Sequence, residues 1–175
     1  ARVRMLTGVR PSEAAGITRD RVNPLRRTLT IDRQLSRVAP YDLAPTKTAA
    51  SVRTVPLSDA AFEVLARRIE DVGPGDLIFR SRQDGPLVHS TQATAWAKAR
   101  RTLAGSETPL PGVGYSWHTL RHTYASASLA GGMDIATLSR MLGHKTVAET
   151  LETYSHMIPG RDDMHRNAAA AVLGL

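Results

Sequence analysis

TLTIDRQLSRVAPYDLAPTKTAASVRTVPL, residues 28–57, is the stretch of this 175-residue chain that reads as sheet. Thr28–Leu35 alternates polar and apolar residues, the period of a half-buried strand. A second strand is expected at Tyr41–Ala44 and a third at Val52–Leu57, with Pro45–Ser51 as the turn before the last. Paired in order, they make a small three-stranded antiparallel sheet.

Helices account for the rest. Ala1–Leu6 is expected to be the end of a helix cut short, and Pro11 opens a brief helix to about Ala15. Ser58 caps a helix to about Asp71 with Phe62, Leu65 and Ile69 on one face. Another starts at Ser90 or Thr91 and runs to about Leu103, with Trp96, Ala99 and Leu103 expected inside. After a loop from Gly105 to Gly114 come His118–Ala130, then Ile135–Leu142 capped by Asp134 and ended by Gly143. Thr146 and Glu149 fit a capping box that opens a helix to about Met157, and Asp163–Leu173 is a last, Ala-rich helix. The expected class is α+β: mostly α-helical, with a small sheet at one edge.

Composition narrows the chemistry. Cysteine is absent, which removes disulfides and thiolate metal sites. No apolar run is long enough for a membrane span, and Arg2 and Arg4 are followed by no apolar core of a secretory signal. The net charge of +7 favours a polyanionic partner, nucleic acid or an acidic membrane surface. Only Lys47, Lys98 and Lys145 are lysines; the other cations are arginines, whose planar fork suits phosphate, although a GC-rich genome produces the same excess.

Four groups of residues could carry a reaction. In WHTLRHT, residues 117–123, His118 and Arg121 share a helix face in the first turn, where backbone N–H groups favour an anion. His118 and His122 also have metal-ligand spacing, but the glutamate of H-E-x-x-H is missing and Arg121 would sit beside the cation. In LGH, residues 142–144, Gly143 leaves His144 in a turn, and Tyr154 follows on the next helix. By helical spacing alone, Tyr154 fits equally as a half-buried core residue. In TGVRPSE, residues 7–13, Glu13 stands three residues after Arg10, either orienting it or forming an ordinary surface ion pair. Lys47 occupies the turn PTKT, residues 45–48.

Taken in order, TGVRPSE, PTKT, RTVPL at 53–57, HTLRHT at 118–123, LGH and TLETYSH at 150–156 resemble the motifs of tyrosine recombinases of the phage-integrase type. The likeness covers about residues 1–160. It implies a catalytic domain occupying residues 1–175, without the N-terminal DNA-clamping and arm-binding domains of that family. It implies double-stranded DNA as partner, a homotetramer on DNA for the whole protein, with a monomer left open for this stretch alone, and a cytoplasmic, DNA-associated location. No cofactor and no metal are implied. Residues 163–173 would be a helix that packs on a neighbouring protomer, or one docked on its own domain.

The same resemblance implies Tyr154 as the nucleophile that forms a 3′-phosphotyrosyl link. Making phenolate at pH 7 costs about 4 kcal/mol, and His118 is the expected helper. Arg10 and Arg121 would clamp the non-bridging oxygens, His144 would add a donor, Lys47 would protonate the leaving 5′-oxygen, and Glu13 would support Arg10. Three other readings stay open at this point: a type IB topoisomerase, a non-catalytic DNA-binding domain and a histidine-based metalloenzyme.

Overall fold

The computed structural model describes residues 1–105 and 116–155. In chain order these form helices α1 (Arg2–Thr7) and α2 (Pro11–Ala15), strands β1 (Val22–Asn23), β2 (Thr28–Ile31), β3 (Arg33–Leu35), β4 (Leu43–Pro45) and β5 (Arg53–Pro56), and helices α3 (Asp59–Ile69), α4 (His89–Ala104), α5 (Trp117–Ala130), α6 (Ile135–Leu142) and α7 (Val147–Tyr154). The expected loop beyond Gly105, the end of the last helix at Met157 and the helix Asp163–Leu173 lie outside the described residues.

Helices with a small antiparallel sheet are what the periodicities predict, but the strands pair differently. Thr28–Leu35 is two strands, not one. β2 lies between β1 and β5 in a three-stranded antiparallel sheet, and β3 pairs only with β4. The alternation that turns Leu29 and Ile31 inward would turn Arg33 inward too. The strand breaks before it at Asp32, whose carboxylate accepts from Arg21 Nε at 2.8 Å and Arg33 Nε at 3.0 Å. β1 supplies the third strand through a turn in which Asn23 Oδ1 accepts from the Arg26 N–H at 3.0 Å. Leu29 opposite Val55 fixes the β2–β5 register and leaves Arg53 opposite Ile31.

Two apolar clusters hold the helices. In one, Val3, Val9 and Ile17 meet Leu29, Ile31 and Val55 of the sheet and Leu65 and Ile69 of α3. In the other, Ala125 and Leu129 of α5 meet Leu138 and Leu142 of α6 and Tyr154 of α7. Side-chain caps start four of the helices: Ser58 accepts from the Ala61 N–H, Ser116 from that of His118, Asp134 from that of Thr137 and Thr146 from that of Glu149.

α4 departs from expectation. Ala99 is exposed and Leu103 is 40% exposed, while Trp96 is half-buried against Trp117, with ring centroids 4.6 Å apart. Its sequence, HSTQATAWAKARRTLA, has too few large apolar residues for an inward stripe. What α4 buries is Gln92, whose carbonyl accepts from Trp117 Nε1 at 2.9 Å and whose amide oxygen accepts from Arg4. Arg4 in turn lies 4.4 Å from the Trp117 ring centre. These contacts anchor the N-terminus of α5, one residue before His118.

Candidate active site

The C-terminus of α6 organises the site. A helix end leaves its last carbonyls without intrahelical partners, at the negative end of the dipole. Here three consecutive carbonyls each take an arginine. Met141 accepts from Arg53 Nε at 2.7 Å, Leu142 from Arg121 Nη2 at 2.7 Å and Gly143 from Arg10 Nη2 at 3.0 Å. Arg10 and Arg121, far apart in sequence, thus stand on adjacent peptide units.

Two glycines permit this approach. Gly143 closes α6 in the left-handed conformation, φ 67°, and a Cβ there would lie 2.8 Å from Arg53 Nη1. Gly8 ends α1 with φ 66°, a Cβ there would meet the Tyr124 ring at 2.4 Å, and its carbonyl accepts from Arg121 Nη1 at 2.7 Å. Arg121 is buried and fixed from both sides. Burial, followed by the charge of Arg10, lowers its pKa to about 10, so the guanidinium stays charged at neutral pH.

Arg10 caps α2, and Glu13 accepts its backbone N–H at 2.7 Å and its Nη1 at 2.9 Å. Glu13 is 2% exposed. Burial alone would raise its pKa; hydrogen bonding to Arg53, the Arg53 charge and the contacts from Arg10 outweigh that and hold the carboxyl below the usual range. Of the two readings of Glu13, orienting Arg10 or forming a surface pair, the geometry matches the first: the buried carboxylate bridges the one-third-exposed Arg10 and the buried Arg53.

Arg10, Lys47 and His118 line one cavity of about 390 Å³, together with Gly143, Lys145 and Arg37. Lys47 is exposed on the turn between β4 and β5, as the sequence predicts. His118 stands at the first turn of α5, where Ser116 Oγ accepts its backbone N–H at 3.1 Å. Partial burial and then the charge of Arg121 lower its pKa. His144 follows Gly143, with Nδ1 2.7 Å from the hydroxyl of the fully buried Thr150. Burial, Arg121 and Arg10 push its pKa down to about 4, leaving a neutral ring at pH 7.

Tyr154 does not line this cavity. It is 2% exposed in the second apolar cluster, and its hydroxyl lies 2.8 Å from Nδ1 of His122. The rings are tilted at 52° with centroids 5.6 Å apart. Burial raises the phenol pKa, and the charge of Arg121 acts in the opposite direction. Among the described residues, no group of three or more His, Asp or Glu is placed to hold a metal ion.

A sequence model described as the phage integrase family matches residues 2–160. The chain belongs to the phage integrase family.

Among relatives of this integrase-family chain, the transposase from transposon Tn916 of Enterococcus faecalis is 30% identical over 162 residues, covering 86% of the chain and 40% of that protein. The tyrosine recombinase XerD of Chlorobaculum tepidum is 31% identical over 160 residues, covering 86% of the chain and 45% of that protein. The chain thus spans less than half the length of these relatives. In fold it resembles the Tn1549 transposon integrase solved with circular intermediate DNA, with a TM-score of 0.81 and 21% identity over 98% of this chain and 58% of the other. The catalytic domain of bacteriophage HP1 integrase matches with a TM-score of 0.54 and 27% identity, covering 98% and 77%.

Several residues of this integrase-family site escaped sequence reasoning. Arg53 stands out in the sequence only as the first residue of RTVPL, yet it is the strand residue that ties Glu13 to α6. His122 stands in the sequence as a possible metal ligand beside His118 and as part of HTLRHT, and Thr150 only as the first residue of TLETYSH. Lys145 and Arg37 carried no signal beyond charge.

Proposed function

We propose that this chain is the catalytic part of a site-specific DNA recombinase that cuts and rejoins double-stranded DNA through Tyr154. The observation that carries the reading is the arginine array on the end of α6: Arg10, bonded to the Gly143 carbonyl, faces a cavity it shares with Lys47 and His118, and Arg121 holds the adjacent Leu142 carbonyl.

A phosphodiester in the cavity would be gripped on its non-bridging oxygens by Arg10 and Arg121. Arg121 commits two N–H groups to carbonyls, which fixes its plane, and a guanidinium has five donors, so others remain for phosphate. Such preorganised donors stabilise a pentacovalent phosphorus without reorganising during the reaction. His144, oriented by Thr150, adds a further donor from its other ring nitrogen. Tyr154 gives its phenolic proton to an imidazole as Oη attacks phosphorus, the bond to the 5′-oxygen breaks and Lys47 supplies that oxygen's proton. The energy of the broken bond is kept in the 3′-phosphotyrosyl link, and attack by a 5′-hydroxyl from another strand reverses the step without ATP. The homotetramer on DNA belongs to the same proposal for the whole protein, which would act in the compartment that holds the DNA.

The test is a nicked duplex that loses its short 5′-hydroxyl strand on cleavage and so traps the covalent product. Incubated in EDTA, the chain should become linked to DNA through the peptide containing Tyr154, and Tyr154→Phe should bind DNA without forming the link. A link through another residue, or one that requires added metal, overturns the proposal.

A further inference from the structure

Three imidazoles stand on α5 and at the end of α6, and they are committed differently. His144 has its Nδ1 on Thr150. A ring whose pKa lies near 4 is also a poor proton acceptor at neutral pH. His118 lines the cavity, and Tyr154 does not. His122, one helical turn after His118, has its Nδ1 2.8 Å from the Tyr154 hydroxyl, a distance at which a proton can pass between the two atoms.

On the recombinase reading above, we infer that His122, and not His118, is the general base that takes the phenolic proton of Tyr154 as the tyrosine attacks DNA. The geometry suits both directions of the reaction. In the forward step the Tyr154 O–H bond breaks and its proton moves to His122 Nδ1 while Oη bonds to phosphorus. The bond from phosphorus to the 5′-oxygen breaks, and that oxygen takes a proton from Lys47. On return, a 5′-hydroxyl gives its proton to Lys47 and attacks phosphorus, and the His122 imidazolium returns its proton to the departing phenolic oxygen. His122 is exposed, so water can solvate the imidazolium charge. Tyr154 is buried, so its proton has few other routes out. The positive charge of Arg121, bonded to the Leu142 carbonyl beside the carbonyl that holds Arg10, favours the phenolate that His122 would leave behind.

Single-turnover formation of the covalent adduct, on saturating nicked duplex, tests the assignment. His122→Asn keeps an amide oxygen close to the position of Nδ1 but cannot carry the proton. Adduct formation should slow by about 10²–10⁴-fold. Replacing Tyr154 with a fluorinated tyrosine, whose phenol is more acidic, should restore most of the loss in His122→Asn and change the wild type little. Thermal melting of each protein checks the fold, and His122→Gln serves as a second variant with the same expectation. An unimpaired His122→Asn overturns the inference. So does a loss that the fluorinated tyrosine does not reduce, since a residue that only supports Tyr154 would be insensitive to phenol acidity. If the wild type forms no adduct at Tyr154, the recombinase reading itself fails and this inference with it.

Discussion

Glu13 and Arg53 form a two-pronged buried ion pair, Arg53 Nη1 on Oε1 at 3.2 Å and Nη2 on Oε2 at 2.9 Å, with side-chain exposures of 2% and 6%. The same Arg53 holds the Met141 carbonyl, so the pair joins α2, β5 and α6 at one point. Removing one member of such a pair leaves an uncompensated buried charge and costs about 3–5 kcal/mol. Glu13→Gln should therefore lower stability by that order in urea unfolding and loosen Arg10, which loses its ion pair and keeps the Gly143 carbonyl at 3.0 Å and the Ser51 hydroxyl at 3.3 Å. A loss below about 1 kcal/mol, the scale of a surface pair, would mean that the junction does not depend on the charge.

That junction marks the boundary of what could be read from the chain. Periodicity and caps located the helices because those signals are local: Ser58, Asp134 and Thr146 each cap the helix they precede. Arg10, Glu13 and Gly143 were legible because their motifs are short. Pairing across the fold was not. Arg53 meets Glu13 across 40 residues and Met141 across 88, and Tyr154 meets His122 across 32. In Thr28–Leu35 the inward place of Arg33 marks a break, but nothing local says which strands the two halves pair with.

Acid should destabilise the fold through His144. Its folded pKa of about 4 lies below the roughly 6.5 of an unfolded histidine. Between those values the unfolded chain binds a proton that the folded chain does not, so stability is lost as pH falls from about 6.5 to about 4. His118 is shifted in the same direction by burial and by Arg121. The carboxyl of Glu13, held low, loses its contribution only at more acid pH. His144→Asn, which keeps a polar atom toward Thr150, should shrink the fall in urea midpoint between pH 7 and pH 5. An equal fall in the variant would place its source elsewhere.

Lys47 lines the cavity from an exposed turn, where an ammonium can meet the leaving oxygen. Lys47→Ala should slow cleavage by about 10²–10⁴-fold, the usual contribution of a general acid. A substrate with sulfur at the 5′-bridging position has a leaving group that needs no proton, and it should restore the rate. Equal impairment on both substrates would remove Lys47 from the acid role.

Gly143 offers a way to disturb the arginine array without touching an arginine. With φ 67°, an alanine there carries the left-handed backbone cost of about 1–2 kcal/mol. It also places a Cβ 2.8 Å from Arg53 Nη1, at the peptide whose carbonyl holds Arg10. Gly75 supplies the control: its φ is 83°, and a Cβ there meets nothing within 4 Å. Gly75→Ala should cost the backbone strain alone and leave cleavage unchanged. Gly143→Ala should lose more stability and, because Arg10 and Arg53 must shift, should cut cleavage well beyond what its melting temperature explains. If the two variants match in both stability and cleavage rate, the close approach at Gly143 contributes only conformation, and the positioning of Arg10 does not depend on it.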